Sequence, residues 1–337
     1  MSVIDAPHVP GLVYVDDGAA GYGRRRCGRG FAYLDIDGAP LRDRETVARL
    51  RALVVPPAWT DVWFCVDPDG HIQATGRDAK GRKQYRYHAE WQRARGEEKF
   101  DSLVDFGHAL PILRERIDAD MRRHELSFER VVATTVWLLD HTLIRVGNAE
   151  YAKDSYGLTT MLDEHVDVTP ATLHFRFVGK SGTPHDVVLS DRRVARIVGK
   201  CQELPGQQLL QYVVDDDVRG LDSRDVNEYI RDVTRSGFTA KTFRTWGGSV
   251  YALGQLRQFG PPASETEAKV QTREAIKATA SVLRNTATVC RQSYVHPTVL
   301  EAHADGRLHG LREPRVRDDD RLSADELRLM ALLEPDG

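Results

Sequence analysis

The chain has 337 residues, of which 41% are hydrophobic and 29% are charged, and its formal net charge at pH 7 is −3. This length allows two domains with separate cores, and the composition is typical of a soluble globular protein. The sequence contains no run of about 18 apolar residues, which excludes a membrane-spanning helix. We expect no signal peptide, because the first residues lack a basic start followed by an apolar stretch.

The four cysteines are scattered along the chain without the close pairs or Cys/His spacing of a zinc site. Their distribution also argues against a disulfide framework and is typical of a protein from a reducing cytoplasm. We therefore expect a cytoplasmic location and neither a metal ion nor another cofactor.

The charges are unevenly distributed. Residues 71–100 contain eight basic and four acidic residues, whereas residues 301–337 contain six basic and ten acidic residues. A local basic surface is enough to bind a polyanion, whatever the charge of the whole chain. The net charge therefore neither supports nor excludes nucleic-acid binding.

The first part of the chain predicts a small α+β module over residues 1–89. An alternating pattern over residues 25–36 indicates strand structure, after which Asp37 and Gly38 give a hairpin-type turn signal. Residues 43–53 have apolar residues at helical spacing, with Asp43 as their N-cap. Two short strands, at 61–66 and 71–75, complete the module.

Residues 76–88, GRDAKGRKQYRYH, are predicted to form a flexible basic loop. Within it, Gln84, Tyr85 and Tyr87 are residue types that read bases or stack on sugars. The alternative is a solvated basic loop with its tyrosines tucked beneath it, and these residues alone do not decide between the two.

From Trp91 onward the pattern becomes helical. Residues 100–124 and 128–145 carry apolar residues at three- and four-residue spacing. The second segment is apolar on most sides, which predicts a helix that crosses the core of a larger domain. It ends at Arg145, the first residue of the string RVGN, where an arginine either binds an anion or only complements the helix dipole.

A β-hairpin is predicted farther along, with strands at 172–178 and 184–189 and Lys180 in the glycine-rich turn between them. A lysine there can swing into a site, although most turn lysines only improve solubility. The string GKSG is not a phosphate-binding P-loop, because the longer glycine-rich run and the following helix are missing.

The remaining segments predict a mainly α-helical domain followed by an acidic tail. Helices are expected at 191–200, 223–234, 238–258 and 265–283, and one short helix after Ser323. The predicted fold class is thus α+β, with a small β-rich N-terminal domain (1–89), a larger mainly α-helical catalytic domain carrying a small hairpin (90–310), and an acidic C-terminal tail (311–337).

Asn285 and Tyr294 impose a geometric condition on the end of the helical domain. They are nine residues apart, and at about 100° per residue one straight helix would place them on opposite faces. If both serve one site, the helix must break between them. The β-branched residues in the string TATV, residues 286–289, are weak helix formers and permit such a break.

Five side chains in the chain suit the cleavage of a phosphodiester. Such a reaction needs a nucleophile, donors to the non-bridging oxygens, and an acid for the leaving oxygen. Two arginines provide forked cationic donors, an asparagine adds a neutral donor, a lysine can protonate a sugar oxygen, and a tyrosine can form the covalent link. Because no carboxylate cluster with metal spacing accompanies them, arginine takes the place that magnesium has in two-metal nucleases. The five residues are Arg145, Lys180, Arg244, Asn285 and Tyr294.

Four strings that contain these residues or the tyrosines above resemble the type IB DNA topoisomerases, in the compact form found in bacteria and poxviruses. They are SVLRNTATVCRQSYVHP at 281–297, KTFRTW at 241–246, RVGN at 145–148 and GRKQYRY at 81–87. The resemblance covers residues from about 25 to about 298. It implies a fold like that of tyrosine recombinases and topoisomerases IB, and a monomer that closes as a clamp around double-stranded DNA.

The resemblance also implies a role for each residue. Tyr294 would attack the scissile phosphate to give a 3′-phosphotyrosyl intermediate and a free 5′-hydroxyl, and the broken strand would swivel and religate without ATP or metal. Lys180 would be the general acid, with Lys241 as its helper. The non-bridging oxygens would be bound by Arg145, Arg244 and Asn285. The DNA-contacting positions would be Gln84, Tyr85, Tyr87, Asn148 and Tyr151.

Two positions depart from the family pattern, and two alternative functions stay open. Many relatives have histidine at the position of Asn285, and a proline is expected at Ala287. A tyrosine recombinase would use similar chemistry, but KTFR replaces the HxxR expected there. A non-catalytic DNA-binding module is the other alternative, which the presence of all five residues disfavours.

Overall fold

The computed structural model describes residues 9–149, 155–317 and 321–334. The chain folds as two units, Met1–Lys99 and Phe100–Gly337. A β-rich first unit and a mainly helical second unit with small sheets confirm the predicted α+β class. Among the described residues, no helix combines the length and the apolar character needed to cross a membrane.

The first unit is built on a five-stranded antiparallel sheet in the order β2-β1-β3-β4-β5. Its helix α1 begins after Asp43, whose carboxylate accepts a hydrogen bond from the Thr46 amide, as predicted for an N-cap. Leu50 of α1 packs with Phe64 and Ala74 of the sheet in a small core. The elements are β1 (Tyr22–Cys27), β2 (Gly30–Leu34), α1 (Arg44–Ala52), β3 (Thr60–Phe64), β4 (Ile72–Arg77) and β5 (Lys83–Tyr87).

The first hairpin turns earlier than predicted. Strands β1 and β2 pair from Cys27 with Gly30, so the turn between them contains Gly28, whose φ of 56° lies in the left-handed region. The turn signal at Asp37 and Gly38 makes a separate reversal after β2. The alternating stretch over 25–36 therefore spans two strands rather than one.

Residues 76–88 are not a flexible loop, and this prediction was wrong. They form the end of β4, a tight turn and β5, with Gly76 paired to Gln84. The Asp78 carboxylate closes the turn by accepting hydrogen bonds from the Lys80 and Arg82 amides and from the Arg82 guanidinium. Lysine and arginine in this stretch therefore belong to an ordered hairpin.

The second unit is mainly helical and contains two small antiparallel sheets, β6-β7-β8 and β9-β10. Its helices are α2 (Ala89–Met121, which begins in the first unit), α3 (Phe128–Thr142), α4 (Arg192–Gln202), α5 (Ser223–Thr234), α6 (Ala240–Phe259), α7 (Glu265–Leu283), α8 (Ala287–Ser293), α9 (Pro297–Ala304), α10 (Arg307–Gly310) and α11 (Ala324–Leu333). Its strands are β6 (Val166–Val168), β7 (Thr172–Val178), β8 (Pro184–Ser190), β9 (Gln211–Val214) and β10 (Asp217–Gly220). The predicted hairpin with Lys180 in its turn is confirmed as β7 and β8.

Helix α6 runs through the core of the second unit. Phe106 of α2 meets Phe238, Phe243 and Trp246 edge-on, with ring centroids 5.2, 5.1 and 5.8 Å apart. Such aromatic contacts each add about 0.5–1.5 kcal/mol to the effect of burial. They hold α6 rigidly in the core, and with it Arg244, which is only 4% exposed.

Within residues 311–337, predicted as an acidic tail, helix α11 packs against the core. Ser323 caps it by accepting a hydrogen bond from the Glu326 amide. Glu326 itself is buried, where it binds the Arg114 guanidinium at 2.8 Å and accepts a hydrogen bond from Trp246 Nε1 at 2.9 Å. Arg114 also forms a salt bridge with Asp140 at 2.7 Å. This acidic residue is therefore part of the structural core rather than of a solvated tail.

Replacing Glu326 with alanine is expected to destabilise the second unit. The variant removes one of the two buried carboxylates that bind Arg114 and leaves Trp246 Nε1 without its acceptor. Breaking a buried ion pair costs about 3 kcal/mol, or roughly 6–12 °C in Tm for a unit of this size. Thermal unfolding measures the loss, and Glu301→Ala, an exposed carboxylate on α9, is the control that should leave Tm within about 2 °C.

The stabilisation by the Glu326 carboxylate should depend on pH. Burial raises the pKa of the Glu326 carboxyl, but hydrogen bonds from Arg114 and Trp246 outweigh it and hold the pKa below its ordinary value. A carboxyl group whose pKa is lower in the folded than in the unfolded state stabilises the fold at pH values above its unfolded pKa of about 4.3. This stabilisation is lost as the pH falls through the pKa of the folded state. The difference in Tm between wild type and variant should thus shrink below about pH 4. An equal difference at pH 7 and pH 3 would contradict the assigned ion pair.

Candidate active site

The end of α3 presents Arg145 through a sharp turn. The helix ends at Thr142, and Leu143 takes a left-handed conformation with φ of 54°. Arg145 therefore lies beyond the helix rather than at its C-terminal end as predicted, because the left-handed residue redirects the chain. Its carbonyl accepts a hydrogen bond from the Leu158 amide at 2.9 Å, which pins the loop to the following segment.

Arg244 joins the C-terminal ends of two helices. Its Nη2 donates to the carbonyl of Leu283, the last residue of α7, at 2.6 Å, and its Nη1 donates to the carbonyl of Leu143, the C-cap of α3. Carbonyls at helix C-termini lack partners within the helix and carry partial negative charge. These two bonds fix the orientation of the guanidinium and leave its Nε for another acceptor.

The chain has the helix break that the spacing of Asn285 and Tyr294 requires if both serve one site. Helix α7 ends at Leu283, and Arg284 takes a left-handed conformation with φ of 50°. Thr286 then caps α8 by accepting a hydrogen bond from the Val289 amide at 3.3 Å. Asn285 lies in the break itself. A threonine N-cap starts the new helix at Ala287.

Three hydrogen-bond donors of neighbouring side chains lack acceptors. Asn285 Oδ1 accepts a hydrogen bond from Arg145 Nη2 at 2.5 Å. Within the described residues, Arg145 Nη1, Arg244 Nε and Asn285 Nδ2 are buried and have no hydrogen-bond partner. Buried donors are normally paired, since leaving one unpaired costs about 1–3 kcal/mol. Two cationic donors and one neutral donor, held together and unpaired, match the oxygens of a phosphate.

Tyr294 lies beside this group of donors. It is the C-cap of α8 and is half-buried, and its ring centroid is 5.2 Å from Arg244 Cζ. Cys290, the other potential nucleophile nearby, is buried, and burial raises the pKa of its thiol to about 11. Cys290 is fully buried, whereas Tyr294 is half-buried, which makes Tyr294 the more accessible of the two nucleophiles.

Gly248 and Ser249 of α6 lie against the backbone around Tyr294, and neither was predicted from the sequence. A Cβ at Gly248 would lie 2.5 Å from the Tyr294 carbonyl oxygen. The Ser249 hydroxyl donates to the Thr245 carbonyl at 2.8 Å, lies 3.4 Å from the Tyr294 carbonyl oxygen, and accepts a hydrogen bond from the His296 amide at 2.9 Å. The available signal was the pair of glycines in TWGGS, because glycine inside a helix is unfavourable unless another segment approaches closely.

Gly248→Ala is expected to slow the reaction of Tyr294 without unfolding the protein. The new methyl group must displace the Tyr294 backbone, and a displacement of about 1 Å near a reacting group can cost roughly 100-fold in rate. Single-turnover kinetics measures the effect. Gly199→Ala on α4 is the matched control, because a Cβ there has its nearest neighbour at 3.5 Å, an ordinary contact. Equal rates for the two variants would contradict the positioning role of Gly248.

The site is strongly cationic. Burial, and then repulsion from Arg145, lowers the pKa of Arg244 to about 10, although Tyr294 partly opposes the shift. Burial and the charges of Arg284, Arg145 and Arg244 lower the pKa of His185 to about 4, so this histidine is neutral at pH 7. In the described part of the chain, neither Arg145 nor Arg244 forms a salt bridge with a carboxylate. An environment of this kind favours an anionic ligand.

The two predicted catalytic lysines, Lys180 and Lys241, lie apart from the group formed by Arg145, Arg244, Asn285 and Tyr294. Lys180 is exposed in the turn between β7 and β8, and Lys241 is exposed one turn before Arg244 on α6. Neither makes a hydrogen bond or a salt bridge to Arg145, Arg244, Asn285 or Tyr294. The structure thus brings four of the six predicted catalytic residues together and leaves both lysines on the surface.

The predicted DNA-contacting residues are in different situations. On β5, Tyr85 and Tyr87 are 41% and 38% exposed, and their rings stack at 5.8 Å and 10°. Gln84 points to the other face of the strand, where its amide donates to the Asp78 carboxylate at 3.0 Å. Asn148 is exposed in the loop after α3. Tyr151 lies outside the described residues.

Comparisons with known proteins identify the family. Residues 88–313 match the family described as "Eukaryotic DNA topoisomerase I, catalytic core", and residues 30–78 match "Bacterial DNA topoisomerase IB, N-terminal domain". The DNA topoisomerase 1B of Acanthamoeba polyphaga mimivirus is 32% identical over 291 residues, which cover 83% of this chain and 86% of the viral protein. The chain belongs to the type IB DNA topoisomerase family.

Two further relatives show which form of the family it resembles. The vaccinia virus (strain Copenhagen) DNA topoisomerase 1B is 24% identical over 238 residues, covering 68% of this chain and 72% of the viral protein. The Homo sapiens DNA topoisomerase 1 is 22% identical over 206 residues, which are 58% of this chain but only 25% of the human protein. The chain is therefore an isomerase of the compact type IB form.

Proposed function

We propose that this type IB topoisomerase relaxes supercoiled duplex DNA by cutting one strand through Tyr294 and rejoining it. The observation that carries the proposal is the set of three buried, unpartnered donors on Arg145, Arg244 and Asn285 next to the Tyr294 ring. A phosphodiester provides the oxygens that these donors lack, and its phosphorus then lies within reach of a tyrosine.

In the proposed cleavage step, the Tyr294 oxygen forms a bond to phosphorus and the bond from phosphorus to the 5′-oxygen breaks. The phenol proton leaves to solvent, and the 5′-oxygen takes a proton from Lys180. The product is a 3′-phosphotyrosyl link and a 5′-hydroxyl, and the reverse reaction rejoins the strand after it has swivelled. The phosphate bond energy is kept in the covalent link, so the cycle needs no ATP.

The three donors stabilise the transition state. Negative charge grows on the non-bridging oxygens as the tyrosine attacks, and fixed donors in a water-poor site stabilise it without reorganising. Arg244 is the most rigidly held of the three, since two backbone carbonyls orient its guanidinium. Two arginines here supply the positive charge that other phosphodiester-cleaving enzymes take from metal ions.

The lysines complete the proposal. Lys180 is placed in a hairpin turn with Gly182 at φ of 74° and Ser181 at φ of 64°, a short segment that can reach a bound strand. Lys241 faces the same side of α6 as Arg244, three residues away, and is proposed as a helper in proton transfer. Both roles require DNA to be bound.

We also propose that the enzyme acts as a monomer that closes as a clamp around duplex DNA, with Gln84, Tyr85 and Tyr87 in one unit and Asn148 and Tyr151 in the other. The exposed, stacked tyrosine pair of β5 supports a DNA-facing role for this strand. The proposed location is the cytoplasm, in association with the nucleoid. Footprinting that protects only one face of the duplex would contradict the clamp.

Plasmid relaxation in EDTA without ATP tests the proposed function. Relaxation should proceed at full rate with a plasmid that contains no recombination site, which separates a topoisomerase from a tyrosine recombinase. Dependence on Mg²⁺ or ATP, or a requirement for a second DNA partner, would overturn the proposal.

A further inference from the structure

A second cationic cavity lies at the other end of α3 from Arg145. It has a volume of about 290 Å³ and lies where the loop after α2 and the first turn of α3 meet α4. Six of its lining side chains are arginine or lysine, and no carboxylate lines it. The six are Arg122, Arg123, Arg130, Arg193, Arg196 and Lys200.

Nearby carboxylates neutralise only part of this charge. Arg123 binds Asp120 at 3.1 Å, and Arg193 binds Asp118 at 3.0 Å. Within the described residues, Arg122, Arg196 and Lys200 have no carboxylate partner. Arg193, Arg196 and Lys200 are spaced at three and four residues along α4, so they share one face of that helix. All three line the same cavity.

The charged side chain of Arg130 is in an energetically unfavourable environment in this cavity. It is only 8% exposed, and while its Nη1 donates to the His124 carbonyl at 2.7 Å, its buried Nε has no hydrogen-bond partner. It also lies in the first turn of α3, where the helix dipole disfavours a cation. Burial, together with repulsion from Arg196, lowers the pKa of Arg130. A bound anion would relieve all of these costs.

We propose that this cavity is a second phosphate-binding site that takes a backbone phosphate of DNA outside the cleaved position. This inference rests on the proposed function, since it assumes that DNA is the substrate. Arg130 and the last residue of α3 are twelve residues apart, or roughly 18 Å at about 1.5 Å per residue. The cavity therefore cannot share a phosphate with Tyr294. The same chemistry also suits free inorganic phosphate, which is the other source of the anion.

The test removes the three cations that lack partners. A triple variant, Arg122→Ala, Arg196→Ala and Lys200→Ala, is combined with Tyr294→Phe, so that binding is measured without cleavage. The control triple, Lys269→Ala, Arg273→Ala and Lys277→Ala, removes three exposed cations from α7. The first measurement is the slope of log K against log salt for a long duplex, to which each neutralised phosphate contributes about 0.9. The second is the rise in Tm on adding inorganic phosphate.

If a DNA phosphate occupies the cavity, the cavity triple should reduce the magnitude of the slope by about 1 relative to the control triple. Loss of the phosphate-induced rise in Tm with an unchanged slope would overturn the assignment to DNA in favour of a free anion. No change in either measurement would overturn the site altogether. Covalent adduct formation, measured in parallel with Tyr294 intact, shows independently whether the proposed cleavage itself occurs.

Discussion

Replacing Tyr294 with phenylalanine is expected to abolish both covalent attachment to DNA and relaxation, with a loss of at least about 10⁴-fold in cleavage rate. The substitution removes only the oxygen that would bond to phosphorus. The ring keeps its place 5.2 Å from Arg244 Cζ, and its backbone keeps the contacts to Gly248 and Ser249. The loss should therefore appear in chemistry, with DNA affinity within about threefold of wild type.

The measurement is a denaturing gel of end-labelled DNA, on which a covalent adduct migrates with the protein. Tyr212→Phe is the control, because Tyr212 packs against Phe128 outside the site and should cleave at the wild-type rate. A Tyr294→Phe protein that still forms the adduct would show that another residue is the nucleophile.

Replacing Arg244 with alanine should lower the cleavage rate by about 10²–10⁴-fold. The variant loses a fixed donor to the phosphate and also leaves the Leu143 and Leu283 carbonyls without their partner. Both carbonyls lie at helix C-termini and would lose their hydrogen bonds from Arg244. The Tm of the variant should therefore also fall. Arg244→Lys keeps the charge but cannot reproduce a planar fork that bonds two carbonyls and a ligand together, so it should recover only a small part of the rate.

Single-turnover cleavage and thermal unfolding of both variants separate chemistry from folding. If Arg244→Lys regains Tm but not rate, the guanidinium acts on the phosphate itself. Cleavage by Arg244→Ala within about tenfold of wild type, in a protein shown to be folded, would contradict the assigned role.

Local sequence signals predicted much of the path of the chain near the site. The spacing of Asn285 and Tyr294 required a helix break if both serve one site, and the structure has one. A left-handed residue followed by a threonine cap is the physical reason for this break. Lys180 was placed correctly in a hairpin turn because glycines surround it and both flanking strands alternate.

Other features depend on contacts between distant residues and had no local signal. Glu326 and Arg114 are 212 residues apart in the chain, so no local signal near Glu326 predicts its ion pair with Arg114. The two bonds from Arg244 to helix-end carbonyls could not be predicted either, since they depend on how α3, α6 and α7 pack. The basic stretch over 76–88 was taken for a loop because its glycines and charges hide the alternation of β5.

A trapped covalent complex most directly tests whether Tyr294 forms the bond to the 3′-phosphate. Wild-type protein would be reacted with a DNA whose leaving fragment is short enough to diffuse away, then digested and examined by mass spectrometry. We predict one modified peptide, with a nucleotide 3′-phosphate attached to Tyr294. Attachment to another residue, or through a 5′-phosphate, would contradict the account.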